Sequence, residues 1–121
     1  MKLVQVQVRR VYDEPGPQDG MRILVDRLWP RGISKERLAF DQWAKELAPS
    51  SELRRWYGHE PDRFEEFRRR YRTELEAEPG AGQVRELRRI AGDGPITLIT
   101  ATRDVGRSGA AVLAEVLRGR D

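Results

Sequence analysis

The chain has 121 residues, the size of one domain with a single hydrophobic core. Its lack of cysteine excludes disulfide bonds, thiolate metal sites, iron–sulfur clusters and a cysteine nucleophile. The net charge is +3, and lysine occurs only at Lys2, Lys35 and Lys45, so nearly all the basic side chains are arginines. Arginine binds phosphate and carboxylate groups well. This charge does not by itself indicate a nucleic-acid partner.

The first predicted element is a strand over residues 3–11, because its apolar and polar side chains alternate. Residues 13–20 (DEPGPQDG) predict a loop. Since eight residues are too few for a helical crossover, we expect a hairpin to the next strand. That strand covers residues 21–28, where a compact apolar centre is followed by the polar Asp26 and Arg27, as at the end of a buried strand.

Six helices and one further strand are predicted in the rest of the chain. Ser34 and Asp41 are plausible N-caps of two short helices, and Ser50 or Ser51 caps a third. The longest helix is expected over residues 61–77, followed by helices over 84–91 and 108–118 and a central strand over 96–100.

Strands that alternate with helices indicate an α/β fold class: a small layered sheet of at least three strands, packed with about five or six helices. We expect one domain over residues 1–121. The apolar stripes predict a set of mostly buried side chains: Val4, Val6, Ile23, Val25, Phe67, Tyr71, Leu98, Val112 and Val116.

Ligands of such sheets bind beyond the carboxyl ends of the strands, where residues 26–32 and 101–108 are expected. The second segment (ATRDVGRS) follows a strand and opens a helix, so the amides of residues 106–109 and Arg103 or Arg107 could hold an anion. It resembles the phosphate loop of tyrosine phosphatases, but Ala101 stands where the nucleophilic cysteine would be, which excludes that covalent chemistry here. The alternative is an ordinary N-cap at Ser108.

Several motifs recur together as in a known family: RVYD (10–13), VDRLWPRG (25–32), W-x-K-x-L-A-P-S (43–50), L-R-x-W (53–56) and the segment from His59 to Tyr71. The chain resembles, over essentially its whole length, the YeaO-like family of unknown function, domain of unknown function 488. The resemblance implies a small α/β protein of bacteria or archaea, and it carries over no activity.

Other candidate groups have two interpretations each. Asp26 and Arg27 form either a functional pair or a structural ion pair. The three tryptophans are core and loop anchors or a stacking platform. His59 could donate a proton, bind a metal or orient the following helix, and Ser50 near Lys45 could be a nucleophile or a plain N-cap. The arginine run 68–72 is a solvated helix face or a set of phosphate contacts.

The sequence favours a phosphate- or nucleotide-like anion bound at the strand-end loops; the alternatives are a nucleic-acid-binding accessory protein and a protein-interaction module. No cofactor and no metal are expected, and no membrane partner, because no run of about 18 apolar residues occurs. A cytoplasmic location is expected by default. The candidate catalytic residues are Asp26, His59 and Asp104; the candidate ligand-binding residues are Arg27, Trp29, Arg31, Lys45, Arg54, Arg103, Arg107 and Ser108.

Overall fold

A computed structural model describes residues 5–119, and it has an α/β architecture with four parallel strands and four α-helices. The strands, in chain order, are β1 (Val6–Arg10), β2 (Met21–Leu24), β3 (Gln42–Trp43) and β4 (Ile96–Thr100). The helices are α1 (Ser51–Tyr57), α2 (Phe64–Glu76), α3 (Gly80–Ala91) and α4 (Gly109–Arg118). Three short 3-10 turns cover Lys45–Leu47, Pro61–Arg63 and Val105–Arg107.

The strand β4 lies inside the sheet, whose order is β1-β4-β2-β3. It pairs in parallel with β1 on one side and with β2 on the other, so that Ile96 lies opposite both Val6 and Met21. All five residues of β4 are buried, as expected for a parallel strand covered on both faces. The prediction of a central strand at 96–100 is confirmed.

The predicted hairpin between the first two strands is wrong. β1 and β2 run in the same direction and are separated by β4, so the loop over residues 11–20 must return along the sheet before β2 begins. No helix is needed in this connection, because ten extended residues can span about 33 Å and β1 is only about 15 Å long. The loop ends at Gly20 with φ +62°, where a Cβ would lie 2.1 Å from the carbonyl oxygen of Pro95.

The prediction of five or six helices is also wrong. The segment after Ser34 forms only turns, and the segment after Asp41 forms β3 and a 3-10 turn rather than a helix. The other four predicted helices are present. The predicted N-cap of the first of them is Ser50, whose hydroxyl accepts a hydrogen bond from the Leu53 N–H at 3.2 Å. α3 begins earlier than expected, at Gly80, and α4 ends at Gly119 with φ +77°.

The core lies on both faces of the sheet. On one face, Ile23 and Leu98 pack with apolar side chains from all four helices. On the other, the alternate residues Leu24 and Ile99 pack with Leu38 and with aromatic residues of the loop between β2 and β3. Of the predicted buried set, Val116 is only partly buried and Val4 lies outside the described residues, while the others are buried. Leu3 of the predicted first strand also lies outside them.

A buried ion pair fastens the amino end of the sheet. Asp19 and Arg22 are 3% and 5% exposed and form a salt bridge. Arg22 also donates from Nε to the carbonyl of Ala39 at 2.6 Å, and Asp19 accepts the Gly16 N–H at 3.1 Å. The bond from Gly16 and the nearby Arg22 guanidinium hold the pKa of Asp19 below its ordinary value. The pair therefore ties the start of β2 to the loops on both sides of it.

We expect Arg22→Met to lower the free energy of unfolding at pH 7 by about 3–5 kcal/mol, because the buried Asp19 carboxylate loses its partner. Since the folded pKa of Asp19 is lowered, its contribution is present above about pH 4 and is lost as the pH falls further. The difference between wild type and variant should therefore narrow in acid, as measured by urea unfolding.

The matched control is Arg9→Met, because Arg9 lies 3.5 Å from the other oxygen of Asp19 and its side chain is 35% exposed. We expect it to cost about 1 kcal/mol or less. A difference between wild type and Arg22→Met that stays constant from pH 7 to pH 3 would contradict this role of Asp19.

Candidate cleft at the carboxyl edge of the sheet

A cleft of about 880 Å³ opens at the carboxyl edge of the sheet. It is lined by residues 25–31 after β2, by residues 100–104 and 107–110 at and beyond the end of β4, and by residues between Ala48 and Pro61, several of them in α1. These segments meet because the parallel strands β2 and β4 end at the same edge.

The cleft brings together every predicted site residue except Lys45. Asp26, Arg27, Trp29, Arg31, Arg54, His59, Arg103, Asp104, Arg107 and Ser108 all line it. Lys45 instead places its ammonium group 5.1 Å from the centre of the Trp43 ring. The roles assigned to these residues remain predictions, whereas their positions follow from the topology of the sheet.

Asp26 joins the ends of β2 and β4. Its Oδ1 accepts the hydroxyl of Thr100 at 2.6 Å, and its Oδ2 accepts the Ala101 N–H at 2.7 Å. The carboxylate is half-buried, and both of its oxygens are engaged by the protein. This geometry suits a brace between two strand ends.

Asp104 is also engaged. Its carboxylate forms a salt bridge of 3.0 Å with Arg107, and both side chains are more than half exposed. Nearby, the buried Tyr57 donates its hydroxyl to the carbonyl of Arg107 at 2.7 Å, which holds the turn against α1. Burial raises the pKa of the Tyr57 hydroxyl above its ordinary value, and Asp104 raises it further, so Tyr57 stays a donor near neutral pH.

The N-terminus of α4 offers fewer amides than the sequence predicts. The Ser108 hydroxyl accepts the Ala111 N–H at 3.1 Å, so the N-cap is confirmed. Within the 3-10 turn, the Arg107 N–H bonds to the Asp104 carbonyl and the Ser108 N–H to the Val105 carbonyl. Two of the four amides predicted to hold an anion are therefore already donors within the protein.

Arginines dominate the rim of the cleft. Within residues 5–119, no ion pair or side-chain hydrogen bond involves the guanidinium groups of Arg27, Arg31, Arg55 or Arg103, and all four side chains are exposed. Arg54 is half-buried and donates to the Ser51 hydroxyl at 3.2 Å. The rim therefore carries positive charge that no carboxylate of the described chain neutralises.

His59 sits on a strained piece of backbone. Its φ is +57°, directly after Gly58 in the left-handed region, and histidine adopts this conformation more readily than most residues. The exposed imidazole packs at 6.1 Å from the Tyr57 ring. Residues with such backbone angles occur more often at functional sites than elsewhere. This one also turns the chain from α1 towards α2.

Two of the three tryptophans, Trp29 and Trp43, make the contacts expected of core and loop anchors. Trp29 packs edge-on against Phe40 and Trp43 at 5.5 Å, and its indole N–H donates to the Ile33 carbonyl at 2.6 Å. Trp43 donates to the Asp26 carbonyl at 2.7 Å. Ser50 is likewise structural: besides capping α1, it donates its hydroxyl to Glu74 at 2.6 Å.

The arginine run on α2 is largely paired with carboxylates. Arg68 and Arg72 contact Glu115 of α4, and Arg69 and Arg70 contact Glu66 of their own helix. The run is thus divided between the α2–α4 contact and a local ion pair. It does not form one continuous basic face.

Several residues of the cleft were not predicted as site residues from the sequence, among them Tyr12, Leu28, Arg55 and Tyr57. Tyr12 lies two residues beyond the end of β1, and only the parallel pairing of β1 with β4 places it at this edge. Over residues 5–119, no group of three or more histidine or acidic side chains is placed to hold a metal ion. Nor is any helix within this range long and apolar enough to span a bilayer.

Together, the parallel sheet and the arginine-rimmed cleft define a small α/β protein with a cleft at the carboxyl edge of its strands. The chain belongs to the YeaO-like family of unknown function, which confirms the resemblance of its motifs: residues 5–120 match the family model described as the inactive DUF488-N3 subclade.

Three relatives cover nearly the whole chain. The uncharacterized proteins Rv3073c of Mycobacterium tuberculosis H37Rv and Mb3100c of Mycobacterium bovis are each 50% identical over 116 residues, 96% of each chain. The uncharacterized protein YeaO of Escherichia coli K12 is 44% identical over 115 residues, 95% of this chain and 98% of its own. No solved structure matches the chain.

We expect Asp26→Ala to lower the free energy of unfolding by about 2 kcal/mol, because the Ala101 N–H and the Thr100 hydroxyl lose their acceptor. The control is Asp104→Ala, which removes an exposed ion pair and should cost less than about 1 kcal/mol. Chemical denaturation measures both. If Asp26→Ala were as stable as the wild type, Asp26 would not be a brace.

Proposed function

We propose that this protein binds a small anion of the phosphate or nucleotide type in the cleft, and that it does so without covalent chemistry. The observation that carries the proposal is the rim of Arg27, Arg31, Arg55 and Arg103, which converge on one cleft from three segments and have no carboxylate partner among residues 5–119.

The electrostatics of the cleft favour an anion. Six arginines line it, against two aspartates and no glutamate: Arg27, Arg31, Arg54, Arg55, Arg103 and Arg107. The two aspartates are Asp26, whose oxygens accept hydrogen bonds from the protein, and Asp104, which is paired with Arg107. Guanidinium groups bind phosphate and carboxylate oxygens through pairs of charge-assisted hydrogen bonds. An incoming anion would therefore meet unpaired donors and little repulsion.

The residues that line the cleft support binding without catalysis. In the resemblance to a phosphatase loop, Ala101 takes the place of the nucleophile. The candidate acids and bases Asp26 and Asp104 are engaged, which leaves His59 as an exposed candidate with no hydrogen-bonded orienting group among residues 5–119. The description of the matching subclade as inactive is consistent with a site that performs no catalysis.

The nucleic-acid alternative has less support, because the arginine run on α2 is paired with Glu66 and Glu115. A protein-interaction module would not need unpaired arginines inside a cleft. We also retain the cytoplasmic location expected from the sequence as part of this proposal.

We expect the wild type to bind inorganic phosphate and nucleoside phosphates at low ionic strength, and Arg103→Ala and Arg55→Ala each to weaken this binding by about 10-fold. That factor corresponds to the loss of one charge-assisted contact. Isothermal titration calorimetry measures the affinities, and salt should weaken them.

The matched control is Arg85→Ala. Arg85 is an exposed arginine of α3 that pairs with Glu78 and does not line the cleft, so the affinity should stay the same. The proposal fails if the wild type binds none of these anions at millimolar concentration, or if Arg85→Ala weakens binding as much as the two cleft variants do.

A further inference from the structure

Among the described residues, two large hydrophobic side chains are exposed, Tyr12 by 46% and Leu28 by 72%, and both line the cleft. Elsewhere within residues 5–119, the large apolar side chains are buried or half-buried. Exposure of this kind is common for single residues, but two at the mouth of one cleft mark a surface that gains from contact with an apolar group. A simple phosphate ion offers no such group.

The ring of Tyr12 is held in place. Its hydroxyl donates to the carbonyl of Arg31 at 2.8 Å, which connects the end of β1 to the loop after β2. The guanidinium of Arg10 lies 4.9 Å from the ring centre and donates to the Ala101 carbonyl at 3.2 Å. Because the ring is already ordered by these contacts, a ligand that stacks on it loses little conformational freedom on the protein side.

The size of the cleft points the same way. Its volume of about 880 Å³ is that of a site for an organic molecule and far exceeds the space that a phosphate ion fills. The anion donors and the exposed hydrophobic side chains share this one cleft, as a ligand with a charged group and a flat apolar group requires.

We propose that the ligand is a nucleoside phosphate, whose phosphate contacts the arginine rim and whose base packs against Tyr12 and Leu28. This inference rests on the proposed anion binding and adds the class of ligand. The base supplies the flat π surface that stacks on a tyrosine ring, and stacking of this kind tolerates any base. The same unit occurs as a free nucleotide and at the phosphorylated end of a single strand.

The test compares three probes by calorimetry with the full-length protein: adenosine 5′-monophosphate, ribose 5-phosphate and adenosine. The first two carry the same phosphate, so their difference measures the base. We expect the nucleotide to bind about 10-fold tighter than the sugar phosphate, in line with stacking of one base. Adenosine, which lacks the phosphate, should bind more weakly than the nucleotide.

Variants of Tyr12 locate the base. Tyr12→Ala should bring the affinity for the nucleotide down to that for ribose 5-phosphate, whereas Tyr12→Phe should keep the preference. Both variants lose the hydrogen bond to the Arg31 carbonyl, so the ratio of the two affinities, rather than either affinity alone, reports the loss of the ring. Since Tyr12 is exposed, the fold should survive both changes, and circular dichroism checks this. A nucleotide preference that persists in folded Tyr12→Ala would overturn the placement of the base.

The outcomes separate the two proposals. Equal affinities of the wild type for the nucleotide and for ribose 5-phosphate would overturn the nucleotide inference and leave anion binding intact. Failure of both phosphates to bind would overturn anion binding itself. A short 5′-phosphorylated oligonucleotide that binds tighter than the mononucleotide would support the same chemistry at a strand end, and a weaker one would assign the site to the free nucleotide.

Discussion

The parallel pairing of β4 with β1 on one side and β2 on the other is the constraint on which the cleft depends. It sends the carboxyl ends of three strands to one edge, where Tyr12, Asp26 and Ala101 follow β1, β2 and β4 closely. The hydrogen bonds from Thr100 and Ala101 to Asp26 then fix two of these ends to each other. Without these hydrogen bonds, the arginine-bearing loops would not be held in fixed positions relative to one another.

The two edges of the sheet use charge differently. At the amino edge, Asp19 and Arg22 are buried and satisfy each other, with further bonds to Gly16 and Ala39, so these two side chains are not available to a ligand. At the carboxyl edge the aspartates are engaged and several arginines are not. Buried pairs of the first kind fasten a fold, whereas exposed cations that converge on a cleft are free to form charge-assisted hydrogen bonds with an external anion.

Much of this arrangement could be predicted from the sequence. The apolar run 96–100 indicated a central strand, and the rule that ligands bind at carboxyl ends of strands placed nearly all of the predicted site residues in one cleft. The neighbours of β4 could not be predicted, because a ten-residue loop can form either a hairpin or a return along the sheet. For this reason the position of Tyr12 at the carboxyl edge could not be predicted either. The false helix at Asp41 arose because Trp43, Ala44 and Leu47 have helical spacing, although Trp43 pairs in β3 beside Leu24.

The proposed binding of an anion in the cleft at the carboxyl edge can be mapped residue by residue with NMR. In a titration of the ¹⁵N-labelled protein with phosphate, we expect shifts of amide and arginine Nε signals in residues 26–31, 54–55 and 101–108, with residues 80–91 of α3 unchanged. Shifts confined to α2 and α3, or no shifts at any concentration, would contradict it.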